Sequence, residues 1–392
     1  MEPLQEYYNA QWPDDGSGNA RGRMRRTIQG HRRIDCAHSP RNFSPHKPEF
    51  LRPASREKEH NANIELRTTK PANTANPACR SAMELSFDYA ANNRSALILA
   101  GGEGARLRPL TEKIAGYHIP KQFFPMVGDT TLLELTRRRV AHEVPAVNTA
   151  VVVTKRHEQF YMRALADMAA ENVIIQPEDK GTGAAILHSA IRLAEAAPRN
   201  SIAIFPSDHY VDNDELFMAH VRAAFGVVEE FPDLIVLLGI AASAPEVSYG
   251  WIEPGRQLPC RSAAIFSVNS FIEKPIFPIA SELLLRGDLW NSFVLVTKVR
   301  TLLGVISLAL PEFYASFDRV KPAMGTVFEA ATVARLYQDL PTVNFSHEIL
   351  TQFPDRLAVL PVKGVSWTDL GEPSRVFEVW NHYGLKPGWK AV

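Results

Sequence analysis

Several short stretches of this 392-residue chain carry side chains suited to handling phosphate. In LILAGGEGARLRPLTEK, Gly101, Gly102 and Gly104 directly follow an apolar run. A glycine turn after a buried strand exposes backbone N–H groups, which bind anions. Arg106 adds a planar, permanently charged fork that matches phosphate oxygens. Pro109 stiffens the exit. The spacing is not G-x-G-x-x-G, because Leu107 stands at the third glycine position. No lysine follows at P-loop spacing. The stretch reads as a phosphate cradle of another kind, or as a strand-ending turn with solvated arginines.

Seven further stretches add to it. Lys121 lies in YHIPKQFFP between Pro120 and Pro125, as a phosphate-facing charge or a surface lysine. In QPEDKGTGAAILHSAIRL, Thr182 could cap a helix starting near Gly183. Gly181 and Gly183 there let the backbone approach a flat ligand such as a nucleobase. The alternative is a plain helix start. In IAIFPSDHYV an apolar run leads straight into Asp208, and a carboxylate at the mouth of a buried strand calls for a cation. Mg²⁺ suits it, taking one or two carboxylates, waters and phosphates; a cap or turn role is the alternative. His209 reads as an orienting or packing group. Asp369, in VKGVSWTDLGEPSRVFEVW, could give a second carboxylate to the same ion, cap the helix near Pro373, or both. In VNSFIEKPIFP, Glu273 and Lys274 pair a hydroxyl acceptor with a phosphate partner, which suits a sugar phosphate. The amide of Asn291 in DLWNSFVLV could do similar work. Tyr249, Gly250 and Trp251 in SYGWIEPG read as a pocket wall, with core packing the alternative for Trp251.

Elements must bring these stretches together. Strand-like runs occur at 95–100, 149–154, 173–176, 201–206 and 234–240. Helical patterns lie between them near 131–144, 156–170, 182–197 and 213–230. This alternation predicts an α/β fold, with a mainly parallel sheet and helices on both faces. Later runs at 264–273, 292–297 and 357–363 are expected to extend the sheet and carry a small substrate-binding lobe. In such a sheet ligands bind beyond the carboxyl ends of the strands, where most of the singled-out residues fall.

Residues 1–94 are rich in Asn, Pro, Arg, His and Ser, without periodicity, and read as a disordered extension. Met83 is a candidate natural start, leaving 95–392 as the catalytic domain. The charges balance at 43 basic and 43 acidic residues, so electrostatics argues for neither nucleic acid nor an anionic membrane. Cys36, Cys79 and Cys260 show no metal or redox spacing, and so sparse a count suits a reducing cytoplasm. No apolar stretch is long enough to span a bilayer.

Taken in order, GGEGARLRPLT, PKQF, the PSDH strand end, YGWIEPG, FIEKP, LWNSF and SWTDLG resemble the sugar-1-phosphate nucleotidyltransferases. Within that family the chain looks most like the bacterial mannose-1-phosphate guanylyltransferases. The resemblance covers about residues 95–380 and implies a GT-A-like, Rossmann-related sheet. It implies attack of a sugar 1-phosphate on the α-phosphorus of a nucleoside triphosphate, foremost GTP with mannose 1-phosphate, releasing pyrophosphate. It gives Gly101, Gly102, Gly104 and Arg106 to the triphosphate, with Thr182 and Gly183 beside the nucleotide. Lys121 meets the phosphates near the reacting centre, and Asp208 and Asp369 take Mg²⁺. Tyr249, Gly250, Glu273, Lys274 and Asn291 go to the sugar phosphate. A homodimer is compatible with the resemblance. The chain ends soon after SWTDLG, so a single activity is expected. Two alternatives stand beside this reading. One is UTP, dTTP or ATP with glucose 1-phosphate; the other is a catalytically silent homologue that binds an NDP-sugar and regulates a partner. A dinucleotide-dependent dehydrogenase fails on the missing third glycine.

Overall fold

The structure, a computed structural model, describes residues 93–384. The expected disordered extension and the Met83 start fall almost wholly outside the described residues. Among the described residues there are eleven strands: β1 Arg94–Leu99, β2 Thr149–Thr154, β3 Val173–Gln176, β4 Ser201–Pro206, β5 Tyr210–Val211, β6 Ile235–Ala241, β7 Gly250–Leu258, β8 Ile265–Glu273, β9 Leu289–Lys298, β10 Leu357–Val362 and β11 Trp367–Thr368.

Nine of them form one sheet in the order β3-β2-β1-β4-β9-β6-β10-β8-β7. The first four neighbours are all parallel, with Ile98 opposite both Val151 and Phe205. β9 enters antiparallel between β4 and β6. β6 and β10 are again parallel, and β8 and β7 close the far edge as antiparallel strands. The late strands thus extend the same sheet, as their sequences predict. The start of β7 pairs with both the end of β8, Gly250 opposite Glu273, and the start of β9, Trp251 opposite Trp290, which brings those ends to one place.

Successive side chains on a strand face opposite sides. In β1, Ala96 and Ile98 join one buried cluster while Leu97 joins the other. β2 repeats the pattern, with Val151 and Val153 on one face and Val152 on the other. Helices cover both faces. Gly181–Ala196 and Val299–Ala309 pack on the Leu97 side, and Leu132–Val140 and Asp214–Glu230 on the Ile98 side. Some helix starts carry side-chain caps. Thr131 Oγ1 accepts from Glu134 N at 3.2 Å, and Asn213 Oδ1 accepts from Leu216 N at 2.9 Å. Strand β7 is not predicted by the sequence pattern, because its polar second half lacks an apolar run. Among the described residues no helix is long and apolar enough to cross a membrane.

Candidate active site

Beyond the ends of β1, β3 and β4 lies a cleft of about 340 Å³. Its walls include Gly101, Gly102, Arg106, Thr182, Asp208, Tyr249, Gly250, Glu273, Lys274, Asn291 and Asp369. Residues from seven separate stretches of sequence therefore meet in one place.

The glycine turn is held from below. Gln122 donates through Nε2 to the carbonyls of Ala100 (3.0 Å) and Gly102 (2.8 Å). Gly104 takes φ +61°, and a Cβ there would come within 3.0 Å of the Lys121 amide nitrogen. Glycine at 104 therefore allows both the left-handed turn and the close approach of Lys121.

Lys121 is 9 % exposed and does not sit on the surface. Its Nζ lies 3.0 Å from Asp208 Oδ2 and donates to the backbone carbonyl of Asp369 at 2.9 Å. One ammonium thus joins the end of β4 to the loop after β11. Burial holds His209 down at about 4, against the pull of Asp208, so it is neutral near pH 7. Its ring packs edge-on against Trp367 at 5.1 Å, the packing role its sequence suggests.

Asp369 is anchored through one oxygen. Oδ1 accepts from Tyr249 Oη (3.0 Å), from Gly371 N (2.8 Å) and from Arg375 Nη1. Oδ2 meets only Arg106 Nη2, at 3.4 Å. Burial works against the ionised carboxylate, but Lys121 and Arg375 outweigh it and hold its pKa at about 2. The bond to Gly371 N makes an Asx turn. The helix Pro373–Tyr383 begins after Glu372 with no side-chain cap, so Asp369 does not cap it.

A divalent cation fits these groups. Among the described residues no group of three or more His, Cys, Asp or Glu side chains is arranged to hold a metal alone. Mg²⁺ needs no such cage, because it keeps water and takes phosphate oxygens alongside one or two carboxylates. Asp208 faces the cleft, and Asp369 keeps Oδ2 free of any short hydrogen bond while Oδ1 fixes its orientation.

At the other end, Glu273 Oε1 and Lys274 Nζ are 3.6 Å apart, and burial pushes the Glu273 carboxyl up. A Cβ on Gly250 would lie 2.7 Å from Glu273 Oε2, so glycine makes room for that carboxylate. Asn291 Oδ1 accepts from Phe293 N at 3.1 Å. Lys274, Phe293 and Leu370 all take positive φ, at 48°, 62° and 46°. Three of the four described non-glycine residues in that region therefore lie at or beside the cleft, where backbone strain tends to serve a site.

Two residues sit differently from the reading of their sequence. Thr182 lines the cleft but caps no helix. The helix starts at Gly181, and Thr182 Oγ1 accepts from Phe345 N at 2.9 Å, tying the helix start to a later segment. Gly183 does not line the cleft. Its N–H donates to the Val343 carbonyl at 2.9 Å, and a Cβ would run into the Val343 side chain. Trp251 is 1 % exposed and belongs to the core, the packing alternative. The sequence reading missed Gln122, which holds the glycine turn, and Arg375, which donates to Asp369. Gln122 stands next to Lys121 in PKQF and was legible there. Arg375 carries no local signal, because three of its four partners, Glu246, Ser248 and Tyr249, are remote in the chain.

The family description "Nucleotidyl transferase" matches residues 95–384. The chain belongs to that family. It is 26 % identical over 294 residues to the alginate biosynthesis protein AlgA of Pseudomonas aeruginosa, covering 72 % of this chain and 58 % of that protein. It is 26 % identical over 296 residues to a mannose-1-phosphate guanylyltransferase of Escherichia coli K12, covering 73 % of this chain and 59 % of that protein. The chain thus matches less than two thirds of the length of these relatives. A crystal structure from Thermus thermophilus, described as a mannose-1-phosphate geranyltransferase, superposes with TM-score 0.62 at 26 % identity, covering 73 % of this chain and 79 % of that one. A Helicobacter pylori structure described as a mannose-6-phosphate isomerase shares the fold, with TM-score 0.55 at 19 % identity, 70 % of this chain and 99 % of that one.

Proposed function

We propose that this protein transfers the nucleoside monophosphate of GTP to mannose 1-phosphate, giving GDP-mannose and pyrophosphate. One observation carries the reading. Asp208 and Asp369, from distant parts of the chain, flank the Lys121 ammonium in a cleft shared with the glycine turn. Relatives named mannose-1-phosphate guanylyltransferases support the choice of base and sugar.

Nucleotidyl transfer asks little covalent help of a protein. It asks for alignment of two anionic partners and cancellation of their mutual repulsion. The backbone N–H groups of the glycine turn and the exposed Arg106 would receive the triphosphate. Thr182 would lie beside the nucleotide, and Lys121 would offset charge near the α-phosphorus. A Mg²⁺ held by Asp208 and by Oδ2 of Asp369 would supply further neutralisation and help align the phosphates. Glu273 would accept hydroxyl hydrogen bonds from the sugar, Lys274 would pair its phosphate, and Asn291 would orient it, with Tyr249 and Gly250 as the wall.

The test is mass identification of the product after incubation with mixed nucleoside triphosphates, mixed hexose 1-phosphates and Mg²⁺. GDP-mannose with release of pyrophosphate is expected. A UDP-, dTDP- or ADP-glucose product would move the specificity to the alternative pair, and no product would overturn the enzymatic reading. Asp208→Asn should keep a wild-type unfolding midpoint while turnover falls on the order of 10²-fold or more. Near-normal turnover in that variant would remove Asp208 from the mechanism.

A further inference from the structure

Arg375 does not line the cleft, yet it holds more of it than any motif residue explains. It lies on the helix Pro373–Tyr383, with its side chain 12 % exposed. Nη1 donates to Tyr249 Oη at 2.7 Å and to Asp369 Oδ1. Nη2 donates to Ser248 Oγ at 3.0 Å and pairs with Glu246. The guanidinium carbon stands 4.6 Å from the centre of the Tyr249 ring.

These contacts decide the charge of the cleft before any ligand arrives. Asp208 is matched by Lys121, while Arg375 is shared between Asp369 and Glu246. Arg106 also faces Asp369, but at 3.4 Å, and its own side chain is 52 % exposed. It can swing to an incoming triphosphate. Arg375 cannot follow, because four partners fix it. A divalent cation approaching Oδ2 alone would meet a guanidinium already seated on the other oxygen of the same carboxylate. The phosphates of a nucleotide would supply the negative charge that the free cleft lacks.

We propose that Arg375 is a fixed counter-cation to Asp369. It keeps the free cleft from retaining a divalent cation, so that the cation enters with the nucleotide's phosphates. The inference rests on the nucleotidyl-transfer reading and assigns a positioning residue to it. Orientation of Asp369 does not depend on Arg375 alone, since Tyr249 Oη and Gly371 N also hold Oδ1. Loss of the charge is therefore the main consequence of removing it.

Mn²⁺ is the probe, titrated into the full-length protein and followed by the electron paramagnetic resonance signal of the free ion. Wild type and R375K, which keeps the charge, should bind Mn²⁺ weakly without nucleotide. R375Q should bind it at least about tenfold more tightly, because a nearby like charge in a half-buried site has gone. GTP should tighten Mn²⁺ binding to the wild type at least about tenfold by bringing its own charge. R375Q leaves Glu246 unpaired, which threatens its folding. The double variant R375Q/E246Q removes both partners and leaves their summed charge unchanged, so E246Q is its reference, and it should bind Mn²⁺ at least about tenfold more tightly than E246Q does. Equal Mn²⁺ affinity across all forms would overturn the proposal, as would R375K and R375Q shifting together, which would indicate shape rather than charge. The charge-dependent pattern in a wild type that releases no pyrophosphate from any nucleotide would uphold the counter-cation and sink the functional reading instead.

Discussion

His188 is enclosed between the rings of Phe317 and Tyr337 on the helix behind the cleft. Burial lowers it from 6.5 to about 4, with Arg192 adding to the effect. The unfolded chain therefore binds a proton between pH 6.5 and 4 that the folded chain refuses. Its contribution to stability is complete above pH 6.5 and is lost as pH falls toward 4. The loss is on the order of 3 kcal/mol for this one side chain. His209, also held at about 4 by burial, loses stability in the same window. Urea midpoints at pH 7.5 and pH 5 check this: the wild type should drop between them, and His188→Leu should drop markedly less. An equal drop in both would assign the pH dependence elsewhere. Legibility at this scale depends on how local the cause is. Asp208 was readable because an apolar strand runs directly into it. Arg375 was not, because the helical stretch around it looks like any solvated face, and its partners Glu246, Ser248 and Tyr249 lie more than a hundred positions earlier.

At the scale of elements, the cleft depends on how closely neighbouring segments approach. The helix Gly181–Ala196 starts beside it because Gly181 adopts φ +80° and packs on the Val343 carbonyl. Gly183 packs on the same residue, so the loop carrying Val343 and Asn344 seals that end of the cleft. A Cβ on Gly181 meets both a disfavoured backbone and an occupied space. Gly181→Ala should therefore cost at least about 2 kcal/mol of stability. It should also weaken nucleotide binding more than binding of the sugar phosphate, since it moves Thr182 and leaves Glu273 and Lys274 in place. Thermal unfolding and separate titrations of the two ligands would show it. Unchanged stability would mean the helix start is free to relax. The glycines of this stretch were visible in the sequence, and one of them was misassigned to the ligand. Glycine reports that something comes close; it does not say whether that neighbour is a ligand or the chain itself.

Across the described residues, the nine-stranded sheet carries most of the cleft, and the two-stranded β5–β11 pair leads into Asp369. The family match begins at residue 95. We propose that residues 1–82 are dispensable for folding. The chain beginning at Met83 should unfold in one cooperative transition within a few degrees of the full-length midpoint, with unchanged nucleotide affinity. Loss of folding would show that the sheet needs the preceding segment. By itself, the sequence determined the alternation of strands and helices, the two-faced core and the order of the residues that meet at the cleft. These are local properties, written in hydrophobic period and in the residue types at each strand's end. Only the tertiary structure decided that β9 runs antiparallel between β4 and β6, that Gly183 serves Val343, and that Arg375 reaches Glu246, Ser248 and Tyr249. Those outcomes depend on which distant surfaces bury each other, and no window of neighbouring residues contains that information.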